Sequence, residues 1–178
     1  MFRLINLRNQ RGFTLVELII VLTIIAILSS IGIASFVESS RNASLQTAQD
    51  KLVSMINVAK SRALSQTTPP DSSKCIGTLR GYEIFFPTSS MVCLTAICSI
   101  SPTRATVDCD MGIDSFTFSD DELSFSNPLP DPFYFPILSD TIEGLNSPVQ
   151  IDITGYGKQK SIIVNPSGVV STATPTPN

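Results

Sequence analysis

Few side chains in this sequence could carry out chemistry, and their types argue against catalysis. The chain has no histidine, so it lacks the commonest general base and the commonest metal ligand. Triads that pair serine or cysteine with histidine are therefore excluded, and we predict that the protein is not an enzyme. The remaining candidates are one acid beside an apolar run, a group of aspartates and four cysteines: Glu17, Asp108, Asp110, Asp114, Cys75, Cys93, Cys98 and Cys109.

The four cysteines all follow the apolar run, and their even number predicts disulfides formed outside the cytoplasm. Cys93 and Cys98 lie in or beside one predicted strand, about 16 Å apart if extended, so we do not expect them to pair with each other. Two pairings remain: Cys75 with Cys98 and Cys93 with Cys109, or Cys75 with Cys93 and Cys98 with Cys109. A meander of the predicted strands favours the first. The spacing lacks a C-x-x-C pair, which argues against a zinc site.

The aspartates bring three carboxylates, those of Asp108, Asp110 and Asp114, into one short segment. Hard cations need clustered oxygen ligands, so calcium is the one cofactor that this segment suggests. A solvated acidic turn explains the same residues without a metal and is the simpler interpretation. We expect no other cofactor.

An uncharged run of 20 residues, Leu18–Val37, directly follows Glu17. A helix of that length extends about 30 Å, the thickness of a bilayer core. The preceding residues 1–12 contain three arginines and no acid, so the positive-inside rule places them in the cytoplasm and the C-terminal body outside. A secretory signal peptide would have a shorter apolar region and a small-residue cleavage site.

Glu17 distinguishes this run from a plain signal anchor, which needs no carboxylate. A charged side chain at mid-bilayer costs about 2.5–3.5 kcal/mol on insertion scales, and acids within such spans usually have a function.

The segment Gly12–Leu18, GFTLVEL, followed by IIVLTIIAIL, resembles the cleavage and methylation motif of type IV pilins and type II secretion pseudopilins. The resemblance implies that a prepilin peptidase cuts between Gly12 and Phe13 and methylates the new amine of Phe13. It also implies that Glu17 pairs with the N-terminal amine of a neighbouring subunit and sets the register of assembly. Opposite charges in hydrocarbon attract each other strongly, which gives this pairing a physical basis.

Beyond the apolar run, the pattern indicates first a helix and then strands. Apolar residues recur at steps of three and four up to Ala63, which predicts an amphipathic helix ended by Pro69 and Pro70. Within it, residues 52–63 resemble a stretch of the H-type (FimT-like) minor pseudopilins. From Arg80 the period changes to two or to short apolar runs. These predict strands at 81–86, 90–97, 105–109, 115–119, 123–126, 148–154, 161–165 and 168–171, with a proline-rich loop at 127–140 that has room for a short strand. Turn signals at 155–157 and 165–168 make the last strands successive antiparallel hairpins.

We therefore predict an α+β, pilin-like fold. A long N-terminal α-helix, first transmembrane and then amphipathic, packs on a C-terminal antiparallel β-sheet domain. The predicted parts are a leader peptide at 1–12, the transmembrane and assembly half of the helix at 13–37, its amphipathic half at 38–66, a β-rich exported domain at 67–171 and a disordered tail at 172–178.

The resemblance implies a membrane-anchored structural subunit that assembles into a type II secretion pseudopilus or a type IV pilus. Its partners would be the prepilin peptidase, other pilin or pseudopilin subunits contacted through their N-terminal helices, the assembly platform and secretion machinery, and the lipid bilayer. It would lie in the inner membrane with a short cytoplasmic N-terminus and a periplasmic or extracellular C-terminal domain, and later in the filament.

A tip or adhesive subunit that binds DNA for uptake, or a surface ligand, is the alternative function. Its candidate contacts are Lys158 and Lys160, beside a glycine-rich turn. The formal charge of the chain is −3, and it becomes −6 without the three arginines of residues 1–12. Such an acidic body gives no electrostatic reason to expect nucleic-acid binding.

Overall fold

The computed structural model describes residues 12–69, 75–99, 109, 113–118 and 121–173. In this part of the chain, one α-helix is followed by eight β-strands. The chain divides into two compact units, Met1–Arg41 and Asn42–Asn178.

Helix α1, Leu15–Ser65, ends in a hydrogen-bonded cap. Gln66 has a positive φ of 51°, and its amide donates to the carbonyl of Ala63, while the amide of Thr67 donates to the carbonyl of Arg62. This pair of bonds is a Schellman motif, which satisfies two of the last carbonyls of the helix. The hydroxyl of Tyr82 also donates to the carbonyl of Thr67, and burial raises the pKa of that phenol against the opposing effect of the Arg62 guanidinium.

The second half of α1 buries one apolar stripe, as the sequence predicted. Every member of the stripe is at most 5% exposed, and all belong to the same core as the strands. Spacing of three and four residues puts these side chains on one face of the helix. The members are Leu45, Ala48, Leu52, Met55, Ile56, Ala59 and Ala63.

The strands form two four-stranded antiparallel sheets. The first has the order β3-β2-β1-β5 and the second the order β4-β6-β7-β8. This arrangement confirms the predicted helix-on-antiparallel-sheet fold and the two successive C-terminal hairpins. The strands are β1 Leu79–Thr88, β2 Met91–Cys98, β3 Asp114–Thr117, β4 Ser124–Phe125, β5 Phe133–Pro136, β6 Val149–Gly155, β7 Lys158–Val164 and β8 Val170–Ala173.

Aromatic side chains join the two sheets. Phe86 of β1 packs edge-to-face on Phe125 of β4, with ring centroids 5.0 Å apart, and on Phe133 of β5 at 6.2 Å. Edge-to-face pairs of this kind add about 0.5–1.5 kcal/mol beyond the area that they bury. The core of the second unit is therefore continuous from one sheet to the other.

Polar contacts fasten α1 to the β7 region. The side-chain amide of Gln49 donates to the backbone carbonyl of Ser161 at 2.9 Å, in a buried position. Lys60 donates to the carbonyl of Ser167 at 2.8 Å. A buried amide that lost its partner would cost about 1–3 kcal/mol, so the Gln49 contact favours one placement of the amphipathic half of α1.

One difference from the sequence predictions concerns a boundary. Thr172 and Ala173 belong to β8, so the tail predicted at 172–178 begins too early. They pair with Ile162 and Ser161, and such long-range pairing is invisible in a short polar segment. Residues 174–178 and most of the strand predicted at 105–109 lie outside the described residues. The proline-rich loop predicted at 127–140 contains the short strand β5, for which the sequence pattern left room.

Within the described part of the chain, no helix is both long enough and apolar enough to cross a membrane.

Candidate functional site

The N-terminal turn of α1 is built by Thr14 and Glu17. Thr14 is the N-cap: its hydroxyl accepts a hydrogen bond from the amide of Glu17 at 3.2 Å, and its carbonyl accepts from the amide of Leu18 at 3.2 Å. The spacing Thr-x-x-Glu is that of a capping box. A carboxylate in the first turn also interacts favourably with the positive end of the helix dipole. Glu17 thus has a local role that the sequence analysis missed, although the motif itself was readable.

The predicted cleavage site lies just outside this helix. Gly12 and Phe13 precede the first helical residue and are exposed, Phe13 by 81%. A Cβ added at Gly12 would meet no atom within 4 Å, so the described structure gives no steric reason for glycine there. The peptide bond between Gly12 and Phe13 is therefore in an accessible, non-helical segment, as a protease substrate requires.

Phe13 and the first half of α1 present a dense set of exposed apolar side chains. They are between 42% and 81% exposed, and Glu17 lies among them. Contiguous apolar surfaces of this kind mark sites that bind another protein or a membrane. The set is Phe13, Leu15, Val16, Leu18, Ile19, Ile20, Val21, Leu22, Ile24, Ile25, Ile27, Leu28, Ile33, Phe36 and Val37.

Two disulfides are present, Cys75–Cys98 and Cys93–Cys109, with Cα atoms 5.5 and 5.8 Å apart. They are the pairing that the sequence analysis preferred. Both bonds join a cysteine that lies outside the named strands to strand β2. Cys93 is fully buried and Cys98 is 5% exposed.

Comparison with known proteins agrees with this geometry. Residues 7–33 match the family described as the prokaryotic N-terminal methylation motif. The type IV minor pilin FimU of Pseudomonas aeruginosa, in its P21 crystal form, superposes with a TM-score of 0.53 at 16% sequence identity, over 76% of this chain and 92% of that one. Its P65 form gives 0.49 at 15% identity, over 73% and 93%. No curated protein matches in sequence.

The chain carries the prokaryotic N-terminal methylation motif and has a pilin-like fold. The motif match covers Gly12, Phe13 and Glu17, and the structural match supplies the fold: a long N-terminal helix on an antiparallel β domain. The narrower likeness of residues 52–63 to H-type subunits stays a prediction. Five of those residues lie in the buried stripe, so core packing already accounts for much of their pattern.

Removing the Cys93–Cys109 bond should destabilise the pilin-like protein markedly. The bond joins residues 16 positions apart, and closing a loop of that size contributes about 3 kcal/mol in the chain-entropy account. We expect the double variant Cys93→Ala, Cys109→Ala to lose about this free energy of unfolding in urea titrations. Wild type under reducing conditions is the control, and it should be no more stable than the variant. Equal midpoints for the variant and oxidised wild type would contradict the prediction.

The aspartate group remains outside the described structure for the most part. Asp108 and Asp110 are not among the described residues, and Asp114 is exposed at the start of β3, opposite Leu94. Among the residues that are described, no group of three acidic, cysteine or histidine side chains is arranged to hold a metal ion. The calcium hypothesis for these three aspartates stays a prediction.

The two lysines considered for DNA binding contact the helix of their own chain. The ammonium group of Lys158 donates to Asn42 Oδ1 at 2.8 Å, and that of Lys160 donates to Gln46 Oε1 at 3.2 Å. Tyr156 and Gly157, with φ of 54° and 70°, form the tight turn that places β7 beside α1. These lysines therefore serve to fasten the hairpin to the helix.

We expect the protein to lose a little stability in acid because of Asp152 on β6. Partial burial raises its pKa, but hydrogen bonds from Ser161, Gln150 and Gln159 together outweigh burial, so the pKa is below its ordinary value of 3.8. A lowered folded pKa stabilises the fold at pH above the unfolded pKa, and this contribution is lost as pH falls through the folded pKa. Because the carboxylate is only partly buried and is screened by solvent, the effect should stay below about 1 kcal/mol.

We expect Asp152→Asn to be slightly less stable than wild type at pH 7 and equal to it near pH 2, in urea titrations at both values. Gln150→Ala removes one donor, at 2.8 Å from Asp152 Oδ1, and should reduce the same pH dependence. A constant difference between Asp152→Asn and wild type across this range would show that the carboxylate charge is not the cause.

Proposed function

We propose that this pilin-like protein is a minor structural subunit of a type IV pilus or a type II secretion pseudopilus. It would be inserted in the inner membrane, cut between Gly12 and Phe13 by a prepilin peptidase, methylated at Phe13 and assembled through its N-terminal helix. Assembly platform proteins and other pilin subunits would be its partners.

The exposed apolar surface of residues 13–37 carries the proposal. Each Å² of apolar surface kept from water contributes about 25 cal/mol, so a helix that is apolar around its circumference needs lipid or other helices around it. The uncharged stretch Leu18–Val37 is long enough for a bilayer core. A membrane would cover it first, and neighbouring subunits would cover it in the filament.

Pairing of Glu17 with the amine of a neighbouring subunit would fix the axial position of one helix relative to the next. Cleavage would create a positive amine at Phe13, beside the positive end of the α1 dipole, where a cation is unfavourable. The carboxylate of Glu17 is favourable at that end and is one turn along the helix. An amine of one subunit and the carboxylate of the next would each gain an opposite charge in a region of low dielectric. Apolar contacts alone would leave the axial position free to slide.

Intact-mass measurement of the protein from membranes, with and without the peptidase, tests the proposal. We expect a peptidase-dependent product that begins at methylated Phe13. Gly12→Leu should block cleavage without unfolding the protein, because no atom lies within 4 Å of a Cβ at that position. Gly144→Ala, a glycine substitution outside the motif, should be processed normally. An uncleaved wild-type chain, or one cut after the apolar run, would overturn the proposal.

A further inference from the structure

A cleft of about 460 Å³ lies at the edge of the second sheet, and its lining includes none of the residues proposed for processing and assembly. Its volume falls in the range of ligand sites, about 300–1,000 Å³. One wall is the proline-rich segment 128–132, and another is the turn Ile142–Leu145. The floor contains the first residues of β6, Val149–Ile151.

The first half of β6 has a strand neighbour on one side only. β7 pairs with β6 along its whole length, from Val149 to Gly155. On the other side, β4 pairs only with Ile153 and Thr154, and the amide of Ser126 adds one bond to the carbonyl of Asp152. The described structure places no strand opposite Val149–Ile151 on this side, so the cleft contains an open strand edge.

The backbone of Gln150 faces this open edge. The carbonyl of Asp152 points towards β4, because it accepts from Ser126. Backbone groups two residues apart in a strand point to the same side, so the amide and carbonyl of Gln150 point into the cleft. The neighbouring wall cannot supply a strand with regular donors, because Pro128, Pro130 and Pro132 have no amide hydrogen.

The negative charge of the cleft lining indicates that its ligand carries a positive charge. Asp131 and Glu143 are the charged residues of its lining, and both are acidic and exposed. Glu143 is held in place, since its amide donates to the carbonyl of Tyr134 at 2.9 Å. The rest of the lining includes apolar side chains such as Leu129 and Leu145. A ligand that matches these features has backbone hydrogen-bonding groups, apolar side chains and a positive charge.

We propose that this cleft binds an extended segment of a partner protein, in which a basic residue lies between apolar ones. The segment adds as a strand to the free edge of β6 at Gln150, its apolar side chains contact the walls, and its basic side chain lies near Asp131 and Glu143. Strand addition to a sheet edge draws its affinity from main-chain hydrogen bonds and its specificity from alternate side chains. This binding site goes beyond the proposed filament role and does not depend on it.

Titration of the full chain in detergent micelles, followed by NMR, tests the proposal with a defined probe. The probe is the capped hexapeptide acetyl-Thr-Val-Arg-Val-Thr-Val-amide, and the control peptide has glutamate in place of arginine. We expect the arginine peptide to shift the amide signals of Gln150 and Ile151, and the glutamate peptide to leave them unchanged. Asp131→Asn and Glu143→Gln should each weaken binding about threefold, as for exposed charge pairs. Asp121→Asn, an exposed acid that does not line the cleft, should bind like wild type.

Two N-methylated versions of the probe distinguish strand addition from loose adsorption. One carries methyl groups on its odd-numbered amides and the other on its even-numbered amides. Only alternate amides of an added strand face the sheet, so one version should bind about tenfold more weakly and the other like the parent peptide. Equal binding of both versions, equal binding of the glutamate peptide, or no shift at Gln150 would overturn the proposal. Concentration-dependent self-association that shifts the same signals without peptide would also overturn it, because a second copy would then be the occupant.

Discussion

Replacing Glu17 by valine should reduce incorporation of the subunit into filaments more than tenfold while leaving its cleavage intact. The variant keeps the apolar surface through which the helix would pack against helices of other subunits. It removes the carboxylate that would pair with a neighbouring amine. Loss of one charge from a pair in a low-dielectric setting leaves the other unpaired, which typically costs about 3–5 kcal/mol. The measurement is the amount of the subunit in sheared, sedimented filaments, set against its amount in membranes.

Two further variants separate the charge of Glu17 from its other roles. Glu17→Gln keeps the length of the side chain and part of the capping box, so a similar loss would identify the charge as the cause. Thr23→Val changes a polar residue of the same apolar segment, whose hydroxyl donates to the carbonyl of Ile20 at 2.8 Å within its own helix. This control should assemble like wild type. Normal assembly of Glu17→Val would show that apolar contacts alone set the register.

Replacing Gly81 by valine should cause the largest loss of stability among single substitutions in the β domain. Gly81 lies in β1, opposite Pro136 of β5. A Cβ at this position would collide with the carbonyl oxygen of Phe135 and with the ring of Tyr134. Because one of these groups is backbone, relief requires β5 to move away from β1. Overpacking usually costs about 1–3 kcal/mol, and loss of this strand pairing raises our expectation to about 4 kcal/mol.

Urea unfolding of the full chain measures this effect, and Gly144→Ala is the comparison. Gly144 has a φ of 82°, but a Cβ there would meet no atom within 4 Å. Gly144→Ala should therefore lower the free energy of unfolding only by the backbone strain, about 1 kcal/mol. If Gly81→Val were no less stable than Gly144→Ala, the close approach of β5 to β1 would be wrong.

The predictions that the structure confirmed rest on local periodicity. The stripe from Leu45 to Ala63 is buried as expected, because spacing of three and four residues puts side chains on one face of any α-helix. The hairpin of β6 and β7 was also readable, since the turn at Tyr156 and Gly157 requires positive φ angles and follows an apolar run. In both cases a few neighbouring residues are sufficient to define the structure.

The boundary that was wrong depends on contacts between distant residues. Thr172 and Ala173 were assigned to a tail because that segment has prolines and few apolar residues, yet pairing with β7 makes them part of a strand. The short strand for which the proline-rich segment had room forms because β1 pairs with β5. Strand formation depends on packing against neighbouring strands more than helix formation depends on its surroundings. Short strands with a weak sequence pattern are therefore the elements that sequence reasoning misses.

The sequence by itself determined the motif around Gly12, Phe13 and Glu17, the helical pattern that follows it and the strand-rich body, because each is written in the types and spacing of adjacent residues. Only the tertiary structure decided that the strands form two sheets, that Lys158 and Lys160 bind the helix, and that Gly81 lies against the backbone of β5. It also decided that β4 stops short and leaves the edge of β6 open at Gln150. These features arise from strand pairing between residues far apart in the chain, whose register depends on the packing of the whole domain.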